Sequence, residues 1–221
     1  MKRLAGPFQS HDESRPFRAV KEIAYAILAA SALVGMCRAQ TPGRYRIDLQ
    51  ASRIEIHLFR GGLLAGLGDN HLIVIGNFSG TASGTPEGSW EVRIRAETAL
   101  LKVEDPGLSD ATRQEIRATM LGPTQLDTER YPSIELRSRA VLPGGTPNSW
   151  RLQTDLTLYG VTRQVEFPLV WSQEGDRLEV KGKTTLRLRD FNIEPISKGF
   201  GTVKVKNEFE VVYDITLRRE S

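Results

Sequence analysis

The chain has almost no cysteine. Its single thiol, Cys37, falls within the first 39 of 221 residues. The remainder therefore forms no disulfide and offers no thiol nucleophile. Histidine is nearly as scarce, with only His57 and His71 beyond residue 39. Two imidazoles argue against a histidine-rich metal site, so neither a metal nor a cofactor is expected, although carboxylates could still make up a ligand set. The longest apolar run falls short of the ~20 residues that span a bilayer comfortably. There is no Gly-x-Ser-x-Gly elbow, no His-Glu-x-x-His helix and no glycine-rich phosphate loop. The sequence thus names no catalytic residue and gives an enzyme little support. Serines and carboxylates are plentiful, and a triad assembled in space stays open at this level.

Net charge is also missing once the chain is divided. Arg15, Arg18 and Lys21 precede the apolar run Ile23 to Met36, and Cys37-Arg38-Ala39 offers a small-x-small cleavage site. That pattern reads as a secretory signal peptide over residues 1–39, with an uncleaved anchor as the alternative. A lipoprotein signal is disfavoured because Met36 stands where a small residue is needed. Residues 1–39 hold six of the 30 basic and three of the 27 acidic residues, so residues 40–221 carry 24 of each. A neutral domain lacks the basic excess that nucleic acid demands. The expected location is periplasmic or secreted, with no stable membrane span after cleavage. About 182 residues can bury a core without covalent staples.

What is present is alternation. Leu152, Thr154, Leu156 and Leu158 face one way, then Tyr159-Gly160-Val161-Thr162 turns the chain. Val165, Phe167, Leu169 and Trp171 resume the period of two, the mark of a half-buried hairpin. Pro168 inside the second strand predicts a ladder incomplete on one side. The same period recurs at 54–58, 92–98, 134–138, 178–188 and 203–217. Residues 71–80 read as one strand with Leu72, Val74, Gly76 and Phe78 on a shared face, and Gly76 predicts a bulge or bend. Residues 105–122 read as a helix capped by Ser109, burying Ile116, Met120 and Leu121. About eight strands and one helix, joined by short turns, predict an all-β antiparallel sandwich or barrel. An eight-stranded barrel has either a filled lumen or room for one small apolar ligand.

Several stretches carry a family resemblance: IEIHLF, NHLIVIGNFSGT, ERYPSIELRS, DLTLYGVTRQVEFPL, RDFNIEP and the terminal VKVKNEFEVVYDITL. In that order they cover nearly all of residues 44–217, and the domain over 40–221 resembles the YceI-like family of bacterial secreted and periplasmic proteins. The resemblance implies an eight-stranded lipocalin-like barrel with an elongated apolar cavity. It also implies non-catalytic binding, carriage or sequestration of a long isoprenoid, fatty-acyl or other amphipathic chain. The alternative is a closed-core module acting through its outer surface. Relatives with this type of early loop commonly read GHNH where Gly68-Asp69-Asn70-His71 stands, so any role needing two histidines is in doubt.

Alternation nominates Leu58, Leu72, Val74, Phe78, Ile94, Leu136, Leu156, Phe167, Leu186, Phe191, Phe209 and Val211 as inward residues that would line a ligand cavity. A slip of one residue would turn a whole strand inside out. Asp69, Asn70 and His71 could hold a metal or a polar headgroup, but Asp and Asn before a strand are more often turn residues. His57 reads as a solvated strand residue, and Arg187, Arg189 and Asp190 as a surface charge ladder rather than an anion site. A homodimer through an exposed strand edge is compatible with the sequence and not required by it.

Overall fold

The computed structural model describes residues 43–61, 70–85, 89–146, 148–198 and 203–220. The signal-peptide reading of residues 1–39 falls outside them, as does Asp69.

Twelve strands occur among these residues: β1 (Gly43–Ile47), β2 (Arg53–Gly61), β3 (His71–Ile75), β4 (Phe78–Gly84), β5 (Glu91–Glu97), β6 (Leu101–Val103), β7 (Ser133–Pro143), β8 (Ser149–Leu158), β9 (Val161–Glu174), β10 (Arg177–Arg187), β11 (Ser197–Lys198) and β12 (Val203–Arg219). One helix, α1, spans Asp110–Leu121. Pairing is antiparallel throughout. The ring β1-β4-β5-β7-β8-β9-β10-β12 closes because β12 also pairs with β1. The expected all-β, eight-stranded antiparallel barrel with one helix is what forms.

Twelve strands make eight barrel positions because three positions are interrupted and because the two-residue β11 lies off the ring, paired only with β12. β12 pairs with β1 near its C-terminal end and with β2 along its N-terminal half, on the same edge. β3 pairs with β2 while β4 pairs with β1, and β6 pairs with β3 while β5 pairs with β4. The breaks are one-turn helices at Leu49–Ala51 and Thr98–Leu100 and the two residues Gly76-Asn77. A Cβ on Gly76 would stand 2.8 Å from the Leu100 carbonyl oxygen, so the break needs glycine for close approach.

That break corrects the reading of 71–80 as one strand. In β4 the inward phase is Phe78, Gly80, Ala82 and Gly84. Two unpaired residues shift the count by one, so in β3 the inward residues are His71, Ile73 and Ile75. Leu72 and Val74 lie on the opposite face. A second shift, between Ser138 and Ala140, brings Val141 inward after Ile134 and Leu136.

The hairpin β8–β9 forms as read. Tyr159 and Gly160 take φ of 52° and 71°, the double left-handed geometry of a tight hairpin turn. β8 pairs straight through Pro168, whereas the β9–β10 ladder stops at Leu169 opposite Gly182. Proline has no N–H to give to β10, which is why the ladder ends there.

The helix starts at Asp110 rather than at 105. Ser109 caps it, its hydroxyl accepting the Thr112 N–H at 3.1 Å. No strand pairs the outer edge of β6 among the described residues, and α1 packs there instead. Arg117 Nε donates to the Leu101 carbonyl at 2.8 Å, and Arg113 Nη1 donates to the Asp105 carbonyl at 3.1 Å. Ile116 and Met120, half-buried, turn toward the barrel interior.

Candidate functional site

The barrel is not filled. Its interior holds a cavity of about 470 Å³, lined by nearly every strand and by α1. The lining is aliphatic and aromatic because each strand writes its apolar phase inward. Ile54, Ile56 and Leu58 come from β2, Leu178, Val180 and Leu186 from β10, and Val211, Tyr213, Ile215 and Leu217 from β12. A cavity this size lies within the ordinary range of small-molecule sites. At roughly 30 Å³ per water-sized group, it has room for about sixteen non-hydrogen atoms.

Of the inward residues named from alternation, Leu58, Ile94, Leu136, Leu156, Phe167, Leu186, Phe209 and Val211 face this cavity. The other four do not. Leu72 and Val74 belong to the outward phase of β3, for the reason given above. Phe78 keeps the inward phase of β4 and is buried in the core at 3% exposure, but it does not reach the cavity surface. Phe191, at 1% exposure, sits on the one-turn helix Leu188–Phe191 that follows β10 and packs against β9, β10 and β12. Leaving the strand took it out of the alternation.

All three tryptophans of the chain line the cavity: Trp90, Trp150 and Trp171. Trp90 stands edge-on to Trp171 with centroids 6.2 Å apart and is 5.9 Å from Tyr45. They belong to the end of the barrel where β1 closes the ring. Trp171 was legible from its phase with Phe167 and Leu169, and Trp90 from its phase with Val92 and Ile94.

The opposite end is different. There β2, β3 and the start of β12 meet, and Arg60, His71 and Gln125 enter the lining. Arg60 shares the phase of Ile54, Ile56 and Leu58, so its inward position was available from the sequence. Among the described residues, the lining holds no other Lys or Arg and no Asp or Glu. Arg60 Nε is buried without a hydrogen-bond partner among the described residues.

His71 is held from behind. Its Nδ1 lies 2.6 Å from Asp105 Oδ2, and the Leu72 N–H donates to Asp105 Oδ1 at 2.5 Å. Asp105 is fully buried. A carboxylate against Nδ1 keeps a proton there and leaves Nε2 as the free ring nitrogen. Asp105 was missed in the sequence because 34 residues separate it from His71. The Asn70 side-chain oxygen accepts the Arg60 backbone N–H at 3.3 Å, a tie between the end of β2 and the start of β3.

The remaining candidates lie on the surface. His57 Nε2 is 3.2 Å from Glu55 on the outer face of β2. Arg53 donates to the same Glu55 carboxylate and holds its pKa below the usual range, with a smaller contribution from His57. Arg187 pairs with Glu208 and Arg189 with Glu194, each at 3.2 Å. These are exposed pairs of small energetic weight, and Asp190 is exposed beside them.

Comparison with known proteins gives the context. A family model described as the YceI-like domain matches residues 45–217. Solved structures share the fold, among them the following three. BcnA of Burkholderia cenocepacia superposes with a TM-score of 0.62 at 17% identity, covering 77% of this chain and 98% of its own. A polyisoprenoid-binding domain from Saccharophagus degradans, implicated in plant cell wall breakdown, superposes at 0.58 with 13% identity, covering 80% and 98%. The Campylobacter jejuni YCEI protein superposes at 0.51 with 9% identity, covering 67% and 84%. A search of curated protein sequences found no match.

Proposed function

Since the chain belongs to the YceI-like family, we propose that it binds, carries or sequesters one hydrophobic chain inside its barrel. The observation that carries this reading is the cavity of about 470 Å³, whose walls are apolar almost throughout. A methylene moved from water into such a space gains roughly 0.8 kcal/mol. A chain of about fifteen carbons would therefore bind with few polar contacts, even after the cost of immobilising it. An isoprenoid or a fatty-acyl chain meets the requirement equally well, because an aliphatic wall recognises length and girth. The polyisoprenoid-binding domain of Saccharophagus degradans supports the isoprenoid class as a candidate.

The reading is non-catalytic. His71 has Asp105 behind it, but among the described lining residues no serine, cysteine or carboxylate faces it across the cavity. The leader-like pattern of residues 1–39 supports carriage in the periplasm or outside the cell.

Native mass spectrometry of the protein purified from its own cells tests this reading. A discrete added mass that extracts into organic solvent as a prenyl or acyl compound is expected. A bare mass that stays bare after incubation with both classes would overturn it in favour of action through the outer surface.

A further inference from the structure

We propose that the bound chain ends in an anion, a carboxylate or a phosphate, received by Arg60 and His71. This rests on the chain-binding reading and adds a headgroup to it. Leu58 pairs with His71 across β2 and β3, and Arg60 follows two residues later on the same face. Arg60 and His71 are thus diagonal neighbours, a spacing of about 7–8 Å or less between Cβ atoms that long side chains readily bridge. Both line the same end of the cavity.

The charges there are unbalanced in one direction. Arg60 is the single Lys or Arg among the described lining residues, and no carboxylate lines the wall with it. Its Nε is buried and lacks a partner among the described residues, a costly condition for a guanidinium donor. The nearby carboxylate, Asp105, is already used. One oxygen accepts the Leu72 N–H, the other faces His71 Nδ1, and the side chain is fully buried behind the wall. Asp105 therefore orients His71 without presenting an oxygen of its own to a ligand.

A carboxylate or phosphate suits this arrangement. Both match the planar fork of arginine. The Nε2 of His71, freed by the bond at Nδ1, adds a second contact, donating when the ring is protonated. A neutral alcohol would leave the Arg60 charge uncompensated. The aromatic end, with Trp90 and Trp171, has no such donor pair and would receive the tail.

Three ligands with the same sixteen-carbon tail separate the possibilities: hexadecanoate, hexadecyl phosphate and hexadecanol, each titrated against the protein with tryptophan emission as the readout. The two anions are expected to bind about tenfold or more tighter than the alcohol. Arg60→Met should weaken both anions about tenfold or more and so remove their preference over hexadecanol, whereas Arg60→Lys should restore part of it. Equal affinity of all three for the unaltered protein would overturn the headgroup assignment and leave chain binding intact. Failure of all three to bind would overturn both.

Discussion

The Tyr213 hydroxyl donates to the Pro168 carbonyl across the face of Gly182. Gly182 pairs with Tyr213 on β12 and with Leu169 on β9, at the last rung of the β9–β10 ladder. Beyond that rung proline cannot continue the pairing, and side-chain hydroxyls take over. Thr184 Oγ1 donates to the Glu166 carbonyl at 3.1 Å just past the break. Tyr213 thus serves both as cavity wall and as a tie across an incomplete seam of the barrel.

Removing that tie should cost stability. Tyr213→Phe is expected to lose about 1 kcal/mol in denaturant unfolding, the net worth of one hydrogen bond. Gly182→Ala should cost about 1–3 kcal/mol, because the new methyl would collide with both the Tyr213 hydroxyl and the Pro168 carbonyl. Equal midpoints for wild type and both variants would show that the seam needs no tie.

Alkali should weaken the fold through the same residue. Burial pushes the Tyr213 phenol well above the ordinary tyrosine range. A group whose folded pKa is raised contributes stability that is complete below its unfolded value, near 10, and is lost as pH climbs from there toward the folded value. Unfolding free energy should therefore fall above about pH 10 in the wild type. It should fall less steeply in Tyr213→Phe, as measured by denaturant titrations at pH 8, 10 and 11. Parallel slopes would rule Tyr213 out as the source.

The phase of β3 gives a direct contrast. Ile73 is 2% exposed and faces the cavity, while Leu72 is half-buried on the other side. Ile73→Ala should cost about 2–4 kcal/mol and loosen ligand binding, and Leu72→Ala should cost about 1 kcal/mol or less with binding unchanged. The reverse ranking would restore the single-strand reading of residues 71–80.

Asp105 should be indispensable to its corner of the fold. Asp105→Ala strands the Leu72 N–H and the His71 Nδ1 proton in a site with no water access from that side chain. A loss of about 2–4 kcal/mol is expected in thermal or denaturant unfolding. A loss below 0.5 kcal/mol, on the order of an ordinary surface change, would mean that Asp105 does not hold His71.

Much of this was legible before the fold. The hairpin from Leu152 to Trp171, its turn at Tyr159-Gly160 and the broken ladder at Pro168 all followed from period and backbone chemistry. The inward phases of β2, β5, β8, β10 and β12 followed from period alone. What failed did so where the period breaks. Gly76-Asn77 reset the count and turned Leu72 and Val74 outward, and the turn after β10 carried Phe191 out of the alternation. The polar end of the cavity was hidden for another reason. Arg60 was in phase but lay beyond the stretch 54–58 taken for the alternation, and Asp105 reaches His71 only through the β3–β6 pairing. Local pattern does not encode that contact.

Trp90, Trp150 and Trp171 all line the space, so tryptophan emission reports on whether the cavity takes up one aliphatic chain. Straight-chain alcohols and acids of increasing length would be titrated against the wild type and against Leu156→Trp, which fills the lumen from the wall. A saturable change at one ligand per protein is expected, tightest near about fifteen to sixteen carbons, and at least about tenfold weaker in the filled variant. An emission change that never saturates, ignores chain length or survives Leu156→Trp unaltered would contradict it.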